Sequence, residues 1–274
     1  MVDIKMVVTD LDGTLYNSKG EVNGLDLDTL HHLAKMGVPR VIATGRSLWS
    51  AEAVIPASFP IDYLVFSSGA GVMRWSTKEI LHSRAFSAHQ VRGIIDELCS
   101  HDVDFMIHEP IPHNHCFLYR SSGKENPDFN RRIVHYQQFC RPLIQGVAYE
   151  AEATQLLAVL PNDVDWFSEL KAHFPAVKVI RTTSPMDGSS IWMEIFPEDV
   201  SKASGIAWLC DLLAISAENV MAVGNDFNDV DMLDFAGKSF VVANAHPELQ
   251  RIYPVVSSND SCGFSHAVQL AFGV

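Results

Sequence analysis

The chain has 274 residues, 33 acidic against 20 basic side chains, and a formal net charge of −13. Its 47% hydrophobic content is too high for a disordered chain, and an excess of carboxylates disfavours binding to nucleic acid backbones. No apolar run reaches the roughly 20 residues that span a bilayer, and the charged start (Asp3, Lys5, Asp10, Asp12) does not read as a signal peptide. The sequence therefore predicts a cytoplasmic protein that binds neither nucleic acid nor membrane. Cys99, Cys116, Cys140, Cys210 and Cys262 are odd in number and widely spaced, and read as reduced, mostly buried thiols.

In chain order, Ile4–Thr9 is a short apolar run with β-branched residues, read as a buried strand. Leucines at helical spacing from Leu25 predict a helix stopped at Gly37. The strand Arg40–Ala43, a helix at Leu48–Ile55 and the strand Tyr63–Phe66 complete an alternation that implies a parallel sheet covered by helices.

The pattern then changes. A hairpin is expected over Val72–Trp75 and Glu79–His82, and a helix over His89–Ser100. Strands follow at Asp104–His108 and Cys116–Arg120, then a helix at Phe129–Phe139 and a strand at Leu156–Leu160. A helix at Val164–Phe174 and a strand at Val177–Arg181 close this stretch. Alternation is expected to resume with strand Ile191–Phe196 and a helix at Lys202–Leu213. Strand Val220–Val223, helix Val230–Phe235, strand Phe240–Ala243 and a helix near Ala267–Phe272 complete it. The reading is a doubly wound α/β core of residues 1–82 and 188–274, with an α+β unit at 83–187 inserted into it. Of the net charge, −2 lies in 1–82, −3 in 83–187 and −8 in 188–274.

Open α/β sheets bind ligands beyond the carboxyl ends of their strands. Four stations stand there. Asp10-Leu11-Asp12-Gly13-Thr14 follows the first strand, and two carboxylates so close need a cation to ionise together. A hard ion such as Mg²⁺ suits oxygen donors of this kind. Thr44-Gly45-Arg46 follows the second strand, offering a hydroxyl, a flexible backbone and a guanidinium to a phosphate. Lys202 lies in the first turn of a helix, where the dipole disfavours a cation unless an anion is nearby. Gly224-Asn225-Asp226-Phe227-Asn228-Asp229 follows strand Val220–Val223 and gathers further oxygen donors, with Asp226 or Asn228 also suited to cap the next helix.

These stations, in this order, resemble the haloacid dehalogenase-like hydrolase superfamily, and the length and pattern of the insertion look like the Cof-like phosphatases with a C2B-type cap. Ser67-Ser68-Gly69-Ala70, Glu194-Ile195-Phe196-Pro197 and Ser257-Ser258-Asn259 fit weaker signatures of that group. The resemblance implies a Rossmann-like core and a cap that selects the substrate. It implies Asp10 as the nucleophile forming an aspartyl-phosphate and Asp12 as general acid and base. Thr44, Gly45 and Lys202 would bind the phosphoryl group. Mg²⁺ would be held by Asp10, the Asp12 carbonyl, Asn225 and Asp229, with Asp229 acting through water or orienting Lys202. Arg46, Asp226 and Asn228 would support the substrate.

The family usually has Asp where Asn225 stands, and Asn where Ser68 stands. The expected activity is a phosphatase of small phosphorylated metabolites, as a monomer or small homo-oligomer. A sugar phosphomutase and a weakly catalytic metabolite-binding regulator are the alternatives. In the insertion, His108, His113 and His115 cluster in sequence as a weak metal signal. Arg120, Lys124, Arg131 and Arg132 are candidates for touching an anionic substrate.

Overall fold

The computed structural model describes residues 3–144, 146–184, 188 and 190–273. Its elements begin with β1 (Met6–Thr9), α1 (Gly24–Lys35), β2 (Arg40–Ala43), α2 (Leu48–Val54), β3 (Tyr63–Phe66), β4 (Gly71–Arg74) and β5 (Glu79–Ser83). They continue with α3 (Ala88–Ser100), β6 (Phe105–His108), β7 (Phe117–Arg120), α4 (Pro127–His135), β8 (Cys140–Pro142), β9 (Gln155–Leu160), α5 (Val164–Ala172), β10 (Lys178–Thr183) and β11 (Ile191–Phe196). The last third holds α6 (Lys202–Leu213), β12 (Val220–Gly224), α7 (Val230–Phe235), β13 (Lys238–Val242), α8 (Pro247–Gln250), β14 (Val255–Val256) and α9 (Gly263–Phe272).

Two units emerge. One runs to Arg46, resumes at Ala51–Ser83 and returns from Ser201 onward; the other comprises Ser47–Ser50 and Arg84–Val200.

The first unit is built on an eight-stranded sheet in the order β14-β13-β12-β1-β2-β3-β4-β5. The six strands from β14 to β3 are parallel, and the expected hairpin adds β4 and β5 antiparallel at one edge. β1, β3 and β12 are buried along their whole length, as strands covered on both faces must be. Helix α1 packs with α9, and α6 with α7. Gly37 ends α1 as expected: it takes φ +71°, and its N–H donates to the Ala34 carbonyl. The strand order reverses beside β1, so the crevice that such a reversal opens lies at the tips of β1 and β12.

The second unit has a six-stranded sheet, β10-β11-β9-β6-β7-β8, antiparallel except for the β7–β8 pair. Phe105, Ile107, Leu156 and Ala158 bury one face against Val91, Ile94 and Leu98 of α3 and Phe167 and Leu170 of α5. Met106, Phe117, Leu157 and Trp192 cluster with Phe129 of α4.

Strand β11 corrects one expectation. The sequence reading assigned Ile191–Phe196 to the core sheet, but it pairs antiparallel with both β9 and β10. An apolar strand buried at all six positions suits the interior of either sheet, so its pattern could not distinguish them. The second unit consequently extends to Val200, beyond the expected boundary at 187/188, and residue 187 lies outside the described residues. The helix expected over Phe129–Phe139 stops at His135, and Cys140–Pro142 forms an unforeseen edge strand. Of the five cysteines, only Cys210 is buried, so the expectation of mostly buried thiols does not hold; all five are free.

Candidate active site

Asp10 follows the last residue of β1. Its N–H donates to the Val223 carbonyl at 2.9 Å, continuing the ladder with β12 and fixing the carboxylate at the crevice. Lys202 is the first residue of α6, whose N-cap Ser201 makes a reciprocal capping box with Ser204. The Lys202 ammonium is fully buried and donates to Asp10 Oδ1 at 2.7 Å and to Asp229 Oδ1 at 2.6 Å. This answers why a cation tolerates a helix N-terminus: two carboxylates face it. Burial opposes its charge, but Asp10 and Asp229 outweigh burial and hold the ammonium above its usual range.

Asp229 is also fully buried. Its second oxygen accepts from the N–H groups of Asn225 (2.7 Å) and Asp226 (3.1 Å). Both oxygens are thus engaged in orienting Lys202 and the 225–226 turn. Asp226 accepts from the Phe227 N–H and caps the short turn over Phe227–Asp229, the capping role allowed for it. Gly224 is required here, because a Cβ would lie 2.7 Å from Asp229 Oδ2.

Asn225 comes to the loop after β1. Thr14 Oγ1 donates to Asn225 Oδ1 at 3.1 Å, and a Cβ on Gly13 would lie 2.7 Å from Asn225 Nδ2. Gly13 also takes φ +74°, and Asn244 Nδ2 donates to its carbonyl at 2.8 Å. Asn259 anchors the same loop from behind: its side chain donates to the Tyr16 carbonyl, and its N–H donates to Asn244 Oδ1. Within Ser257-Ser258-Asn259, it is Asn259 that makes these bonds.

At the tip of β2, Thr44 is buried and its Oγ1 accepts from the Arg46 N–H at 3.1 Å. Ser67 and Ser68 both lie in the left-handed region (φ +50° and +53°), and their N–H groups donate to the Arg46 and Thr44 carbonyls. Ser68 Oγ and Asn228 Nδ2 each stand 3.5 Å from where a Gly45 Cβ would be, so both polar groups lie against Gly45, with Ser68 fully buried. Gly69 has φ +101°, and a Cβ there would overlap the Ser201 carbonyl that begins α6. The Ser-Ser-Gly turn thus seats the helix that carries Lys202.

Arg46 departs from expectation. Its guanidinium clasps Asp12 bidentately, Nε to Oδ2 and Nη2 to Oδ1, both at 2.7 Å. The clasp holds the Asp12 carboxylate directly. Asp12 itself is exposed at the rim, whereas Asp10 is 5% exposed.

Burial pushes the Asp10 carboxyl up to about 7; Lys202 opposes this, while Asp229 and Asp12 add to it. The pocket therefore lacks positive charge for its three acids. That deficit, and a donor set made only of carboxylate, carbonyl and amide oxygens at residues 10, 12 and 225, fit a hard divalent cation.

The basic residues of the insertion are engaged within the second unit. Arg120 and Lys124 both pair with Asp102, Arg131 lies 3.8 Å from Asp128, and the Arg132 guanidinium lies 4.5 Å from the ring centre of Trp192 and 5.0 Å from that of Tyr136. His108 is buried with Nδ1 on the Asn114 carbonyl, and burial pushes it down to about 3, so it is neutral. Among the described residues, His108, His113 and His115 do not converge as metal ligands.

The haloacid dehalogenase-like hydrolase family model matches residues 7–268. The chain belongs to the haloacid dehalogenase-like hydrolase family. It is similar to the stress response protein YhaX of Bacillus subtilis (24% identity over 98% of this chain and 93% of that one). It is likewise similar to the 5-amino-6-(5-phospho-D-ribitylamino)uracil phosphatase YwtE of the same organism (23% identity over 97% of each chain). Among solved structures it shares the fold of a subclass IIB sugar phosphatase, with a TM-score of 0.77, 18% identity, and coverage of 98% and 99% of the two chains. This hydrolase thus has the parallel-sheet core and inserted unit of its superfamily. The Arg46–Asp12 clasp and the Gly69 seat for α6 escaped the sequence reading. Only the positions of Arg46 beside Thr44 and of Gly69 after a strand hinted at them.

Proposed function

We propose that this hydrolase is a cytoplasmic Mg²⁺-dependent phosphatase of small phosphorylated metabolites, acting through an aspartyl-phosphate on Asp10. The observation that carries the reading is the buried Lys202 bridge, which joins Asp10 after β1 to Asp229 beyond β12. A phosphomonoester would enter with its phosphorus opposite the Asp10 carboxylate. Thr44, the Gly45 backbone and Lys202 would hold the equatorial oxygens and offset the charge that develops on them. An Asp10 oxygen attacks phosphorus, the bond to the ester oxygen breaks, and Asp12 donates a proton to the leaving alkoxide. Asp12 then takes a proton from the water that attacks phosphorus and releases Asp10 and inorganic phosphate. The Arg46 clasp suits Asp12 as the ionised base of the second step; in the first, one Asp12 oxygen would leave the clasp to carry the proton it gives.

Asp10, the Asp12 carbonyl and Asn225 would hold the Mg²⁺, with Asp229 supporting them through the 225–226 turn. When bound, the ion supplies the positive charge that keeps Asp10 ionised and draws charge from a phosphoryl oxygen. The substrate class rests on the relatives that act on a ribityl phosphate and on sugar phosphates. The inserted unit, roughly residues 84–200, would select among such substrates.

The test is phosphate release from a panel of sugar phosphates, nucleotides and phosphorylated cofactors, with and without Mg²⁺. Turnover should require both Mg²⁺ and Asp10. Full activity of Asp10→Asn would refute the mechanism. Isomerisation of a sugar phosphate without net phosphate release would identify a phosphomutase instead.

A further inference from the structure

The histidines that draw attention in the sequence do not converge, but two others do. Helix α3 ends with Glu97 in its last turn and His101 as its C-cap, and α5 ends with His173 as its C-cap. His101 Nε2 and His173 Nδ1 each lie 3.0 Å from the same oxygen, Glu97 Oε1, and the two rings stand 4.4 Å apart at 69°. One ligand atom from each of the three residues lies within 4.8 Å of the others. All three side chains are partly exposed, at 36% for Glu97, 28% for His101 and 44% for His173.

We propose that Glu97, His101 and His173 form a second divalent-cation site, for a borderline ion of the Zn²⁺ class. The spacing suits it: nitrogen and oxygen ligands at about 2.0–2.2 Å from such an ion lie roughly 3 Å or slightly more from each other. Two imidazoles and one carboxylate are the donors this class prefers over Mg²⁺, and the exposed side leaves room for water to complete the shell. The field favours a cation independently of the side chains. Two helix C-termini meet here, each presenting the negative end of its dipole, and Glu97 adds a full negative charge. The bound ion would tie α3 to α5, which pack on the same face of the second sheet.

None of the three residues belongs to the proposed phosphatase machinery, so the test is binding and thermal stability. Zn²⁺ is titrated calorimetrically into EDTA-stripped and dialysed protein in excess Mg²⁺, which occupies the oxygen-rich site. Melting is followed in parallel, and Co²⁺ is added separately for its visible absorption. Wild type should bind one more Zn²⁺ equivalent than the His101→Ala/His173→Ala double variant. Zn²⁺ should raise its melting temperature, and Co²⁺ should give it a visible band that the variant lacks. Glu97→Gln keeps an acceptor oxygen and removes the charge, so its metal-free melting should stay near wild type while Zn²⁺ affinity falls at least tenfold. Equal stoichiometry in wild type and the double variant, or a smaller change in Glu97→Gln, would overturn the site and leave Glu97 as a shared hydrogen-bond acceptor.

Discussion

Asp10→Asn separates the electrostatics of the nucleophile from its chemistry. The amide keeps an oxygen that can accept from Lys202 but cannot ionise. In the metal-free protein Asp10 titrates at about 7 against 3.8 when unperturbed, chiefly because it is buried. The folded value lies above the unfolded one. The group's contribution to stability is therefore complete below about pH 4 and is lost as pH rises through about 7. A carboxyl displaced this far costs on the order of 4 kcal/mol to ionise in the folded state. In EDTA, Asp10→Asn should already exceed wild type by about 1–2 kcal/mol near pH 5, where the unfolded carboxyl is ionised and the folded one is not, and by more near pH 8.5. The gap should approach that cost, on the order of ten degrees in melting temperature for a unit of this size. Saturating Mg²⁺ should close most of the gap by stabilising the wild type. Thermal melts across this pH range, with and without Mg²⁺, provide the measurement. Parallel wild-type and Asp10→Asn curves from pH 5 to 8.5 in EDTA would refute the argument that burial leaves this carboxylate short of positive charge.

Other substitutions probe the partners. Lys202→Met strips the buried acids of their cation and should cost about 3–5 kcal/mol in urea unfolding at pH 8, besides abolishing turnover. A loss under 1 kcal/mol would mean that the acids find other compensation. Asn225→Asp adds a charged ligand and should lower the Mg²⁺ concentration for half-maximal activity by about tenfold, while destabilising the metal-free protein. An unchanged Mg²⁺ requirement would remove Asn225 from the ligand set. Arg46→Lys replaces a planar fork by a point charge. It should lower kcat by about 10- to 100-fold, yet leave stability within about 1 kcal/mol because the pair is partly exposed. An unchanged kcat would show that Asp12 needs no such clasp.

The strand tips were legible because short apolar runs end abruptly in Asp10, Thr44 and Gly224, which locates the crevice before any coordinates do. Lys202 was legible only as a conflict, a cation at a positive helix end, and its resolution by Asp10 and Asp229 needed the sheet order. Position alone could not show that Arg46 turns onto Asp12, because a guanidinium after a strand suits a carboxylate as well as a phosphate. The allegiance of Ile191–Phe196 was hidden for a related reason. Burial on both faces erases the alternation that would have named its sheet. The pairing of His101 with Glu97 follows helical spacing, but its partner His173 comes from another helix and carries no local mark.

The central place of β1 has a consequence for biosynthesis. β1, which bears the nucleophile, leaves the ribosome before β2, which can cover one of its edges soon after. The other edge belongs to β12, whose residues emerge only after the whole inserted unit. Until then the nascent chain carries an open, apolar strand edge of the kind that recruits other strands. A chain terminated within the inserted unit would leave that edge bare. Such fragments should depend on chaperones, and they would lack the lysine that neutralises the nucleophile.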